Sequence, residues 1–183
     1  MNQTATDRPA LVIIDMQKGS FTAETPRFDT VGTVRRINQL AQHFRTQKWP
    51  VIFIQHDGSR ENAFGPHTEE WELLDDLDIQ DTDLIIPKIA NDMFYQTILA
   101  ETLAELGVGE LYLTGCATDF CVASAVQSAL HKDFQLTIVS DGHTTADRPG
   151  LSAKQVIDHH NWVWQNMIPT KGRIRVGETL ELL

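Results

Sequence analysis

The residues able to do chemistry in this chain fall one or two positions past the ends of short apolar runs. Asp15 follows residues 10–14, His56 follows 51–54, Lys88 follows 84–86, Cys116 follows 111–115 and Asp141 follows 134–139, with Cys121 just past Cys116. A carboxylate, an ammonium and a thiol make an activated nucleophile that needs no histidine: Asp15 can accept the thiol proton, and a neighbouring Lys88 lowers the thiol pKa. Cys121 reads as a first-turn helix residue, where free N–H groups and the positive end of the macrodipole stabilise a thiolate. The same helix start offers N–H donors to the oxyanion formed when a carbonyl is attacked, with Ala117 and Cys121 the natural pair. Cys116 ends a strand and reads as a packing residue. Taken singly, each has a plainer reading as a turn residue, a solvated charge or a buried thiol. Their joint occurrence at three strand ends points to one site.

The elements that must position these groups alternate along the chain. The nearly continuous β-branched run at 10–14 suits a strand buried on both faces at the centre of a sheet. Val31, Val34, Ile37, Ala41 and Phe44 follow a helical period that Trp49-Pro50 breaks, and residues 51–54 form a second strand. Residues 57–81, polar and acidic with Gly58, Gly65 and Pro66, predict a long loop with one short helix around 71–77. After a third strand at 84–86, Asn91 or Asp92 can cap a helix carrying Phe94, Ile98, Leu99, Leu103 and Leu106 and closed by Gly107. A fourth strand at 111–115 leads into a helix with Val122, Ala125, Val126, Ala129 and Leu130, for which Thr118 or Asp119 suits the N-cap. A fifth strand at 134–139, a helix opened by the capping box Ser152-x-x-Gln155 and running to Met167, and a short strand around 174–176 complete the series. This alternation predicts β-α-β units, a parallel sheet and helices on both of its faces. In such sheets ligands bind outside the carboxyl ends of the strands, where the reactive residues lie.

Composition narrows the function classes. At 183 residues the chain corresponds to one domain on a scale of about 150 residues each. Its 42% hydrophobic and 22% charged residues are ordinary for a globular protein. A formal charge of -10 with no basic cluster argues against binding nucleic acid through its phosphates. No apolar run approaches the ~20 residues a bilayer needs, and residues 1–8 are too polar for a signal peptide, so no membrane partner and a cytoplasmic location are expected. Cys116 and Cys121 are too close in sequence for a useful disulfide and are expected as reduced thiols.

Three blocks carry a resemblance. Ala10-Leu11-Val12-Ile13-Ile14-Asp15-Met16-Gln17 with Phe21, then Pro87-Lys88 followed by residues 91–94, and Thr114-Gly115-Cys116-Ala117-Thr118-Asp119-Phe120-Cys121-Val122 together resemble the signature blocks of the isochorismatase-like cysteine hydrolases. Val139-Ser140-Asp141-Gly142 resembles the segment after that family's fifth strand, so the likeness covers nearly the whole chain. It implies an α/β, Rossmann-like three-layer sandwich around a six-stranded parallel sheet, with a triad carried by Cys121, Asp15 and Lys88. It also implies a cis peptide at Cys116–Ala117 that aims the Ala117 N–H into the oxyanion hole, and Gln17, Phe21 and His56 as substrate-binding residues.

The reaction so implied is hydrolysis of a C–N bond in a small amide, ureide or lactam through a Cys thioester, without a cofactor. Nicotinamidases of the family carry an Asp-x-His metal pair after the second strand; here Gln55-His56-Asp57 stands there, and adjacent strand residues point to opposite faces, so no metal is expected. Isochorismatases that cleave a vinyl ether lack the nucleophilic Cys. Residues 142–147 and 159–164 resemble a metal-free bacterial subgroup similar to streptothricin hydrolase. A nitrilase-like enzyme would need a longer chain, and an oligomeric binding module is the non-enzymatic alternative. Trp162 and Trp164 flank Val163, and exposure of one of them on the monomer would suit a homodimer or homotetramer.

Overall fold

The computed structural model describes residues 8–183; the reading of residues 1–8 as too polar for a signal peptide lies, apart from Arg8, outside the described residues. The run at 10–14 lies in β1 (Arg8–Ile14), where every residue after Arg8 is buried, as a strand covered on both faces requires. The other strands are β2 (Val51–His56), β3 (Leu84–Lys88), β4 (Val108–Cys116), β5 (Gln135–Thr144) and β6 (Ile174–Gly177). All pairings are parallel, in the order β3-β2-β1-β4-β5-β6. The chain therefore steps outward from β1 to β3, returns to the middle and steps outward again from β4, leaving a switch of direction between β1 and β4.

The helices are α1 (Thr30–Thr46), α2 (Leu99–Glu105), α3 (Ala123–His131), α4 (Ala153–Gln165) and the short α5 (Thr179–Leu182). Alternate residues of β1 feed two cores. Leu11 and Ile13 pack with Ile37, Leu40 and Phe44 of α1, while Ala10, Val12 and Ile14 pack with Leu103 of α2, Val126 and Leu130 of α3 and Trp164 of α4. Truncating a side chain as enclosed as Phe44 to Ala costs about 3–5 kcal/mol in such a core. Among the described residues no helix is long and apolar enough to cross a membrane.

Several local expectations change. Val31, counted with the buried stripe of α1, sits in its first turn and is 81% exposed. The helix expected after Asn91 starts only at Leu99: Asp92 closes a local turn onto the Phe94 N–H, and Gln96 adopts a left-handed φ of 55° that interrupts the helical path. Residues 71–77 form no helix, because their backbone is drawn to the segment after β1: Leu73 bridges Gln17, and the Leu74 N–H donates to Met16 O at 3.0 Å. The capping box at Ser152 and Gln155 does open α4, which ends at Gln165, two residues short of the expected Met167. On that helix Trp164 is buried while Trp162 is 63% exposed.

Candidate active site

The carboxyl ends of β1, β2, β3 and β4 converge at the direction switch. β1 and β4 approach so closely that Gly115, at a φ of 119°, has no room for a side chain: a Cβ there would run into the Ile14 carbonyl. Directly after Ile14, Asp15 turns into the left-handed region with a φ of 48°, its N–H donating to Ile54 O at 2.9 Å. Lys88, at the end of β3, is 1% exposed. Its Nζ lies 2.7 Å from Asp15 Oδ2, 3.3 Å from Cys121 Sγ and 2.9 Å from Ala90 O, so its three donors are all engaged. The other Asp15 oxygen, Oδ1, is buried without a partner, and Cys121 Sγ has Asn91 Oδ1 at 3.5 Å.

The electrostatics reverse one expectation. Burial pushes the Cys121 thiol up, the nearby Asp15 carboxylate pushes it further, and Lys88 only partly offsets them. Burial opposes the Lys88 charge as well, but Asp15 and Cys121 outweigh it and the ammonium is held above its ordinary value. A helix start beside a lysine would give a ready thiolate if the thiolate were its only anion. Here Asp15 already balances Lys88, and a second anion in the same enclosure lacks a second cation. Lys88 is therefore held by Asp15 beside a thiol pushed above its ordinary pKa. Cys116 is buried and its thiol is pushed up to about 12 by that burial. Both cysteines are unbridged.

Cys121 is presented by a π-helical turn, Thr118–Val122, that runs into α3; the Val122 N–H reaches back to Ala117 O at 3.1 Å, and the Cys116–Ala117 peptide is cis. Neither Thr118 nor Asp119 caps this helix. Ala117 takes the cap position, because both polar side chains are claimed by distant partners. Thr118 Oγ1 lies 2.8 Å from His143 Nδ1, and His143 Nε2 lies 3.0 Å from Asn161 Oδ1. Asn161 Nδ2 donates to Ser140 O at 2.9 Å, which fixes that amide, so His143 carries its proton on Nε2 and accepts from Thr118. Burial lowers the pKa of His143 to about 4, which keeps it neutral. Asp119 accepts from Thr145 Oγ1 at 2.7 Å and from Arg148 Nε and Nη2 at 2.7 and 3.1 Å.

Above these groups opens a cavity of about 300 Å³. Asp15, Cys116, Ala117 and Cys121 line it together with Gln17 and His56, so all the sequence-expected residues except Lys88, which lies beneath, and Phe21 reach its surface. Phe21 instead packs against the core on the α1 side. Gln17 is already spent on structure: its Nε2 donates to His56 O and Trp71 O, both at 2.9 Å, and its Oε1 accepts the His56 N–H at 2.7 Å. His56 is pushed below its ordinary pKa by burial and by Lys88, and its Nδ1 is buried without a partner. Its neighbour Asp57 accepts from Ser59, and among the described residues no group of three His, Cys, Asp or Glu side chains is placed to hold a metal ion. The remaining lining residues, Ser20, Arg27, Phe64, Asn91, Phe120 and Arg148, went unread from sequence. Of these, Asn91 and Phe120 stood in signature blocks without being singled out for the site.

Comparison with known proteins bears on the family and the fold. Residues 9–169 match the Isochorismatase domain. A streptothricin hydrolase of Streptomyces noursei is 28% identical over 78% of this chain and 58% of its own length, and a second from that organism is matched over 51% of its length, so the chain spans little more than half of these relatives. A ureidoacrylate amidohydrolase of Variovorax paradoxus is 25% identical over 72% of this chain and 67% of its own. Among solved structures, an isochorismatase family protein superposes with a TM-score of 0.85 at 28% identity, covering 94% of this chain and 99% of that one. The N-carbamoylsarcosine amidase of Thermoplasma acidophilum shares the fold, with a TM-score of 0.73 at 22% identity over 94% of this chain and 96% of its own. With the domain match running almost end to end, the chain belongs to the isochorismatase family.

Proposed function

We propose that this chain is a cysteine amidohydrolase that cleaves the C–N bond of a small amide, ureide or lactam. The observation that carries the reading is the meeting of three elements at one point, with Lys88 Nζ 2.7 Å from Asp15 and 3.3 Å from Cys121. Relatives named for hydrolysis of streptothricin and of ureidoacrylate support it.

In this mechanism the unpartnered Asp15 Oδ1 takes the proton from Cys121 Sγ as the sulfur attacks the substrate carbonyl, so the thiolate forms only when used. Lys88 then has two anions in turn to balance, first Asp15 and then the sulfur. The C–S bond forms, and the carbonyl oxygen becomes an oxyanion that accepts from the Ala117 and Cys121 N–H groups. As the tetrahedral intermediate collapses, the C–N bond breaks and protonated Asp15 returns its proton to the leaving nitrogen. Water then attacks the thioester while Asp15 takes its proton, and Sγ leaves and recovers that proton. The cavity of about 300 Å³ limits the acyl portion to a small molecule.

A panel of amides, ureas and lactams assayed for released amine tests this. Cys121→Ala should lower turnover by more than about a thousandfold with folding intact, and intact mass should show acyl-enzyme on Cys121 of the wild type. Cys116→Ala should keep its activity. Full turnover by Cys121→Ala would overturn the assignment.

A further inference from the structure

Resting on the hydrolase reading, we infer that the substrate carries a carboxylate and that Arg27 is the residue that selects it. The charges around the cavity lead there. Lys88 is balanced by Asp15, Arg148 is balanced by Asp119, and His56 is held neutral at pH 7. Arg27 is the remaining cation on the lining, and among the described residues it forms no ion pair. One positive charge is thus left over in the cavity of a chain whose net charge is -10 and whose distant field repels anions. Selection for an anion must then occur at contact.

The position of Arg27 is fixed from both sides. Its Nε donates to Ser20 O at 2.6 Å, its own carbonyl accepts from Thr30 Oγ1 at 3.2 Å, and the next residue is tied to the end of β5 by Phe28 N–H to Thr145 O at 2.9 Å and Thr144 Oγ1 to Phe28 O at 2.6 Å. The Nε bond accounts for one of five guanidinium donors and leaves the paired Nη groups for a ligand. A planar fork held in place matches a carboxylate, and little freedom is lost when one binds. The charge count favours a monoanion: a phosphate dianion would leave one negative charge uncompensated in a half-enclosed site. Arg27 also lines a neighbouring cavity of about 360 Å³ bounded by Glu24, Phe28 and Asp147, so it stands on the wall between the reacting centre and a second space. The carboxylate is accordingly placed on the part of the substrate away from the scissile bond.

N-Chloroacetyl derivatives of glycine, β-alanine and γ-aminobutyrate, each as free acid and as primary amide, alkylate Cys121 with loss of chloride and report the preference without a known substrate. Rates are followed by intact mass in a Cys116→Ala background. The acid should outrun the amide at one or more chain lengths, the ratio should fall with added salt, and Arg27→Gln should reduce it about tenfold while leaving the amide rate unchanged. Arg27→Lys should restore part of it. An acid-to-amide ratio that Arg27→Gln leaves unchanged, or equal slowing of both reagents as a purely structural role would produce, overturns the subsite and leaves the hydrolase reading standing. A Cys121 that no reagent reaches overturns both.

Discussion

The floor and the rim of the cavity are built on different principles. On the floor, Asp15 and Lys88 are 6% and 1% exposed, sit at strand ends and depend on each other for charge balance. The rim is formed by loop residues such as Arg27 and Phe64 and by Phe120, which is 52% exposed, under Arg148 with the guanidinium 5.1 Å from the ring centroid. A floor group cannot change without leaving a buried charge alone. A rim group can change at small cost, so the floor resists substitution where the rim tolerates it.

Lys88→Met breaks this contrast most severely. It strands the Asp15 carboxylate in the protein and should lower the unfolding free energy by about 3–5 kcal/mol in urea titrations; a loss under about 1 kcal/mol would show that water reaches the floor. Next comes the support behind the floor. His143 is neutral in the fold with a pKa lowered to about 4 from 6.5, so the unfolded chain binds the extra proton first as pH falls. Stability from this group is complete above about 6.5 and is lost as pH drops toward 4, a total of about 3 kcal/mol. Urea midpoints measured across that window should show the slope in the wild type and a flatter one in His143→Gln. At the rim, Asp119→Asn leaves Arg148 without its counter-charge; because both side chains are partly exposed, the loss should be only about 1 kcal/mol and shrink in salt. A loss as large as that of Lys88→Met would erase the distinction between the two regions.

The same division decides what was legible in the sequence. Asp15, Lys88 and Cys121 could be placed because each follows an element whose pattern is local: a buried strand, an edge strand, a helix start. The rim depends on contacts far apart in the chain. The loop at 57–81 was readable as a loop, but its strand-like pairing with residues 16–19 runs through Gln17 and Trp71, and no periodicity announces such a pairing. Arg148 and Asp119 find each other only once β5 and α3 are in place. The cap expected at Thr118 or Asp119 failed for the same reason, since His143 and Arg148 offered these side chains partners that the local backbone could not match. The direction of the Cys121 shift was missed because a sequence shows that an acid, a base and a thiol meet, not how many charges share the enclosure.

The π-helical turn at Thr118–Val122 has a geometric consequence of its own. It holds one more residue between Ala117 and α3 than an α-turn would, and in an α-helix one residue is about 100° of rotation. The sheet fixes the phase of Ala117, and the core fixes the phase of Val122, Ala125 and Val126. The wide turn acts as a phase adjuster between the two. Shortening the segment by one residue would satisfy helix geometry better yet set the two phases at odds, so the sulfur would swing off the cavity or the buried face of α3 would leave the core.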